Sequence, residues 1–186
     1  MSQTRHTGFT LAELLIALAI LGVIATFTIP KVITAQSNSR YNAIANEAAS
    51  MVSAAYQQYR HNNSSVTAGV GIEDLTPYMN YVATDTSTVI DDKQTGGTYT
   101  CGGGSANYCL RLHSGAMLRY GRSSTYNFGG TNATNVIWVD IDPDGTTDGT
   151  TNGPGKAVEF YLYYNGRITT RGYVTNPNLD PPWFSW

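Results

Sequence analysis

The chain has 186 residues and a mass of 20.1 kDa, room for one ordinary domain and an appendage. Charged residues make up only 13%, which excludes charge-driven disorder and a long charge-laced coiled coil. A net charge of −2 gives no general attraction to nucleic acid or anionic lipid, and two cysteines are too few for a disulfide scaffold or a four-thiolate zinc site.

Residues 9–29, FTLAELLIALAILGVIATFTI, are apolar apart from small hydroxyls and one charge, Glu13. At about 1.5 Å rise per residue, such a helix spans roughly 31 Å, the thickness of a bilayer core. A polar leader, residues 1–8, stands in front of it. The only small-residue junction, Gly8-Phe9, lies before the apolar run rather than behind it. A secretory signal is cut behind its apolar core, whereas a cut at Gly8 leaves the helix on the mature protein. An uncleaved signal anchor is the competing reading of the composition. Glu13 bears on the choice. A carboxylate near the middle of a membrane helix costs roughly 2.5–3.5 kcal/mol, less near an end. A simple anchor has no use for that group. In a chain that begins at Phe9 the carboxylate lies about one turn from a charged amino terminus, and pairing with another chain's terminus gives it a role; snorkelling to the headgroups is the alternative.

The stretch Gly8-Phe9-Thr10-Leu11-Ala12-Glu13, running into the apolar helix and then Pro30, resembles the amino terminus of type IV pilins and pseudopilins. The resemblance implies a prepilin peptidase that cuts after Gly8 and methylates the new amino terminus of Phe9. It implies that Glu13 sets the register between subunits, and that Gly22 and Pro30 bound a stretch of helix that loosens in the assembled filament. The implied partners are other copies of the chain or related pilins in a helical filament, the peptidase, and the inner-membrane pilus or secretion machinery. The implied location is a single-pass inner-membrane precursor with its head on the periplasmic or extracellular side, then an extracellular pilus or a periplasmic pseudopilus. Residue chemistry agrees with a weak stretch. Pro30 cannot donate to the carbonyl of Thr26, Gly22 is a poor helix former, and the hydroxyls of Thr26 and Thr28 can cover carbonyls freed nearby. The positive-inside comparison of Arg5 with Lys31 adds only a weak bias.

Beyond Pro30, Tyr41, Ile44, Ala48, Val52, Ala55 and Tyr59 recur at steps of three and four, with Met51 beside the stripe. The spacing predicts one helix from about Thr10 to about Arg60, bent near Pro30, whose outer part packs one stripe on a head. Two helices hinged at Pro30 would keep the same faces. The polar residues 61–65 end the helix. The resulting organisation is a leader (1–8), a membrane and assembly half (9–30), an amphipathic half (31–60) and a head (61–186).

The head carries the signals of an antiparallel sheet. Asn165-Gly166 stands between two β-prone runs, the strongest short hairpin signal. Residues 110–120 read as a second hairpin turning at Ser114-Gly115, with His113 in a strand, and residues 136–141 as a β-branched strand around Trp138. Residues 95–104 and 123–135 read as connections, whose Tyr99, Tyr126 and Phe128 argue for ordered surface loops. The fold class is α+β, a long helix laid on an antiparallel sheet.

Cys101 and Cys109 bracket a Gly-rich loop, and an exported head sits where disulfides persist. Closing so short a loop contributes roughly 2.5 kcal/mol in the chain-entropy model. The pair reads as a staple rather than a redox centre; two buried free thiols are the competing reading. The segment from Asp140 to Asp148 places Asp140, Asp142 and Asp144 at alternate positions, followed by Gly145, like the opening of a calcium loop. Asp140, Asp142, Asp144 and Asp148 are the candidate calcium ligands. The bidentate Glu of such loops is missing, Thr151 standing in its place, so Asn152, Glu159 or backbone carbonyls would have to complete the shell. An Asp-Gly turn after a strand is the competing reading. Residues 139–166 also resemble, more loosely, the carboxy-terminal part of pilin and pseudopilin heads, some of which bind calcium.

No catalytic constellation is present: His6, His61 and His113 are scattered, and the sequence has no nucleophile elbow, phosphate loop or zinc-protease motif. The head carries seven Lys/Arg against eleven Asp/Glu, so nucleic acid is not an expected partner, although Arg111, Arg119 and Arg122 could gather into a patch. The tail, residues 176–186, ends in three aromatics that read as a clamp on the head. The sequence therefore points to a non-enzymatic subunit of a type IV pilus-like filament. The alternatives are a pseudopilin of a type II secretion system and a membrane-anchored extracellular binding module.

Overall fold

The computed structural model describes residues 9–63, 65–92, 97–102, 107–121, 127–131, 135–147 and 157–170. Two compact units divide the chain, residues 1–36 and residues 37–186. A single helix, α1 (Leu11–Asn62), contributes to both, with Pro30 inside it. It ends within the polar stretch expected to stop it: Asn63 donates its N–H and its side-chain amide to the carbonyl of Tyr59, closing the last turn.

In the first unit the apolar side chains of α1 have nothing to pack against, and Phe9, Leu14, Phe27 and Ile33 are among the exposed ones. In the second unit the same helix buries Ile44, Ala45, Ala48, Ala49, Val52, Ala55 and Tyr56. Ile44, Ala48, Val52 and Ala55 of the stripe read from spacing are buried, and Ala45, Ala49 and Tyr56 widen it on one side. Tyr56 is fully buried, while Tyr41, Met51 and Tyr59 flank the core as partly buried residues. Alanine supplies most of the central positions, and small side chains let a sheet approach closely.

The second unit continues with a short helix, α2 (Ile72–Leu75), and a 3₁₀ turn (Thr76–Tyr78). The strands are β1 (Ala83–Asp85), β2 (Val89–Asp92), β3 (Gly97–Thr100), β4 (Asn107–Arg111), β5 (Met117–Gly121), β6 (Val136–Asp142), β7 (Val158–Tyr163) and β8 (Ile168–Thr170). Six of them form an antiparallel sheet in the order β1-β4-β5-β6-β7-β8, and β2 pairs with β3 in a separate hairpin. The architecture is α+β, a long amino-terminal helix followed by an antiparallel sheet, as in pilins.

Strand alternation sends one set of residues to each face of the sheet. Leu110, Leu118, Ile141 and Val158 lie in one cross-strand row, joined by Ile137, Val139, Phe160 and Leu162, and this face packs on α1. The turn between β7 and β8 is tied to the helix by polar groups as well. Ser53 Oγ donates to the Gly166 carbonyl at 3.1 Å, the Tyr56 hydroxyl to the Tyr164 carbonyl at 2.6 Å, and Arg60 to the Asn165 carbonyl at 3.2 Å. Those three donors sit one and two turns apart on a single helix face. Gly166 has φ +90°, and a Cβ there would run into Gln57, so the turn needs glycine for both its conformation and its closeness to α1.

Four local readings change. Residues 95–104 include a strand, β3, in place of an unbroken loop. Tyr99 and Phe128 are buried rather than at the surface, Phe128 packing between Tyr56 and Tyr164. His113 sits in the turn, not in a strand, because Leu112 and Ala116 close a three-residue loop in which Gly115 takes φ +91°. Arg111 and Arg119 do not form a patch: Arg111 is an exposed partner of Asp85, and Arg119 is buried. Arg122, Tyr126 and the carboxy-terminal tail with its expected clamp lie outside the described residues.

Candidate functional site

At the start of α1, Thr10 and Glu13 satisfy each other. Glu13 Oε2 accepts from the Thr10 backbone N–H and from its hydroxyl, both at 2.8 Å, and the Glu13 N–H donates to Thr10 Oγ1 at 3.2 Å. This is a reciprocal capping box, and it follows from a Thr three positions ahead of a Glu before an apolar run. The local arrangement gives the Glu13 carboxylate donors within its own chain. Gly8, the expected cleavage position, lies outside the described residues, and Phe9 is 89% exposed.

Further along, Gly22 has open space around it: a Cβ there would meet nothing within 4 Å. Among the described residues, no other backbone makes the close approach for which glycine is usually needed. Around Pro30 the threonines act one turn earlier than expected. Thr26 Oγ1 donates to the Gly22 carbonyl at 2.8 Å, Thr28 to Ile24 at 2.7 Å and Thr34 to Pro30 at 2.9 Å. Their hydroxyls thus share the carbonyls of two residues before the proline and of the proline itself. None of these three bonds goes to the Thr26 carbonyl, the one that Pro30 cannot serve. Back-bonding of this kind weakens and bends helices.

Of the candidate calcium residues, Asp140 and Asp142 lie on the sheet face turned away from α1, and Asp144 lies in the turn that follows β6. Across four strands one row reads Cys109, Arg119, Asp140, Glu159, and the adjacent row places Met117 opposite Asp142. Arg119, Asp140, Asp142 and Glu159 are all buried. Arg119 pairs with Asp140 at 3.5 Å, and its guanidinium lies over the Tyr99 ring at 3.7 Å. Asp142 Oδ2 accepts from the Asp91 N–H at 3.1 Å, and Asp91 in turn accepts from the Thr147 hydroxyl at 2.9 Å. Burial, and next the neighbouring Asp144 carboxylate, raise the Asp142 carboxyl to about 8. Asp144 Oδ1 accepts from the Thr146 N–H at 3.0 Å, the signature of an Asx turn, and Gly145 follows with φ +66°.

Among the described residues, this set does not by itself supply a calcium shell. The ion takes six to eight oxygens. Here Asp140 is committed to Arg119, Asp142 and Asp144 to backbone donors, and among the described residues no three Asp, Glu, His or Cys side chains converge as metal ligands. Asp148, Thr151 and Asn152 lie outside the described residues. Asp91, absent from the sequence reading, is the residue that the tertiary structure adds. It comes from β2, about fifty positions away from Asp142, and no local spacing could have pointed to it.

Cys101 and Cys109 are joined by a disulfide with Cα atoms 5.5 Å apart, and both are fully buried. Asp85 orders the connection from β1 to β2. It accepts from the N–H groups of Ser87 and Thr88 and pairs with Arg111 at 2.6 Å; these donors, the backbone ones first, hold its carboxyl well below the usual range.

Compared with known families, residues 3–29 match the prokaryotic N-terminal methylation motif, the prepilin-type signal of type IV pilins and pseudopilins. The chain matches no curated protein and no solved structure. The matched residues include Gly8, Glu13, Gly22 and the whole apolar run, and this motif supports a pilin-like substrate of prepilin peptidase. The helix that carries the motif is long and apolar enough to cross a membrane.

Proposed function

We propose that this chain is a structural subunit of a type IV pilus-like filament that polymerises through α1 after loss of residues 1–8. The observation that carries the reading is the methylation motif lying on a helix whose apolar side chains stand exposed from Phe9 to Ile33. Such a surface is at rest only in lipid or against other apolar helices. Leaving lipid for a filament core exchanges one apolar surrounding for another, so the exchange is driven by packing and by polar groups that find partners. Glu13 supplies the polar group. In a dry core a carboxylate without a cationic partner is strongly destabilising, whereas one paired with the amino terminus of a neighbour specifies axial register. The exposed Gly22 leaves room for that neighbour to come close.

Intact mass spectrometry of the membrane-extracted protein tests the processing step: the expected species begins at Phe9, carries one added methyl group and contains the disulfide. Glu13→Val tests assembly. The variant is expected to be cleaved and membrane-inserted and to yield no filaments; filaments at wild-type yield would refute the reading. Exchanging residues 9–30 for an unrelated apolar span distinguishes the anchored binding module, which would keep its activity, from the filament subunit, which would lose assembly altogether. A surface pilus and a type II secretion pseudopilus are told apart by where fibres form, outside the cell or within the periplasm.

A further inference from the structure

Among the described residues, β2 and β3 pair only with each other, so no strand ladder attaches this hairpin to the six-stranded sheet. It lies over the face that turns away from α1. Five buried residues, Ile90, Tyr99, Cys101, Cys109 and Met117, form a small apolar cluster under it, separate from the main core. Two of the five are the halves of the disulfide. Gly102, just past the bond, has φ +77° and sits so close to the Thr86 carbonyl that no Cβ would fit, which folds the end of the hairpin back onto its beginning. The Cys101 N–H also donates to the Thr88 carbonyl at 2.9 Å.

What the hairpin covers works against it. Asp91, Asp140, Asp142 and Glu159 are each at least 96% buried, and Arg119 is the one buried cation among the described residues. Buried acidic groups, partnered ones included, gain hydration when their cover opens. A five-residue apolar cluster opposes that tendency weakly, and a covalent bond opposes it strongly.

We propose that the Cys101–Cys109 bond is a thiol-sensitive latch on a local cover: once broken, it releases the β2–β3 hairpin and admits water to the carboxylates beneath, while the core between α1 and the sheet stays folded. The chemistry is thiol–disulfide exchange. A dithiol reductant gives up two electrons and two protons and closes its own disulfide, and the Sγ–Sγ bond parts into two thiols. The face of the subunit opposite α1 is thereby complete only where thiols are oxidised. The inference is independent of whether the chain polymerises.

Hydrogen exchange read by mass spectrometry on the full-length protein in detergent, oxidised and after reduction by a dithiol, tests the latch. Reduction is expected to accelerate exchange at residues 89–92 and 97–101, including the Asp91 amide bonded to Asp142, by about tenfold or more. Amides of residues 44–56 and 137–141 are expected to stay within about twofold of the oxidised protein. The variant Cys101→Ser/Cys109→Ser should reproduce the reduced pattern without reductant. Unchanged exchange in the hairpin would overturn the proposal, since the bond would then hold nothing shut. Loss of protection throughout the head would overturn it equally, since the bond would then support the whole fold rather than a cover.

Discussion

The two faces of the six-stranded sheet are built on opposite principles. The face against α1 is apolar, with aromatic and aliphatic rows filling the space over a strip of alanines, and polar contacts tie the helix to the β7–β8 turn at its rim. The face under the β2–β3 hairpin buries three acidic side chains and one guanidinium beside a disulfide, and Asp91 of the hairpin adds a fourth. The first face gains from removing hydrocarbon from water. The second gives up stability to desolvate charge and recovers it through a pairing, a ring contact and a covalent bond. One face is the folding core. The other is a chemically conditioned surface.

Truncation on the apolar side should have the largest effect. Phe160→Ala empties a fully buried position and is expected to cost about 3–5 kcal/mol, measured by denaturant unfolding. On the charged side the expected signature is different in kind. Arg119→Ala leaves Asp140 buried beside Glu159 and should also cost about 3–5 kcal/mol, but Arg119→Met combined with Asp140→Leu should recover part of the loss because Asp140 then carries no charge to be paired, while Glu159 stays buried. A double variant as unstable as the single one would show that the pair contributes more than mutual compensation.

The pH dependence separates the faces further. Asp142 keeps its proton up to about 8 in the folded protein, whereas the unfolded chain releases it near 3.8, so stability falls as pH rises between those values and levels off above. Asp142→Asn is expected to flatten that slope in melting temperatures recorded from pH 4 to pH 8. Asp85 acts in the opposite sense. Its carboxyl is held low, so its contribution is present above about 3.8 and disappears on acidification below it, and Asp85→Asn removes that acid limb. The smallest effect belongs to the exposed partner of that ion pair: Arg111→Ala should cost no more than about 1 kcal/mol, because its side chain is 45% exposed and water screens the pair.

Much of the apolar side was legible in advance. Spacing at three and four along residues 41–59 marked the helix face, and Asn165-Gly166 and Ser114-Gly115 marked two turns, because periodicity and turn chemistry are local properties. Tyr56 was missed because a stripe drawn through Ala55 and Tyr59 passes on either side of it. The hairpin β2–β3 was missed for another reason. Its Asp, Thr and Gly have the composition of a loop, and only packing on Cys109 and Met117 gives the hairpin a strand's environment. The acidic row was visible as a spacing in β6, yet its meaning changed once Arg119 arrived from β5 and Asp91 from β2.

The amino-terminal signal, the apolar rod, the α+β class and the pairing of the only two cysteines were written in residues close together in the chain, because a helix period, a turn or a short loop needs no distant partner. Tertiary structure alone decided that Tyr56 and Phe128 are buried against each other, and that carboxylates spaced like a metal loop face a guanidinium and a backbone amide. Burial and charge pairing are set by which strands become neighbours, and residues far apart in sequence carry no local mark of that.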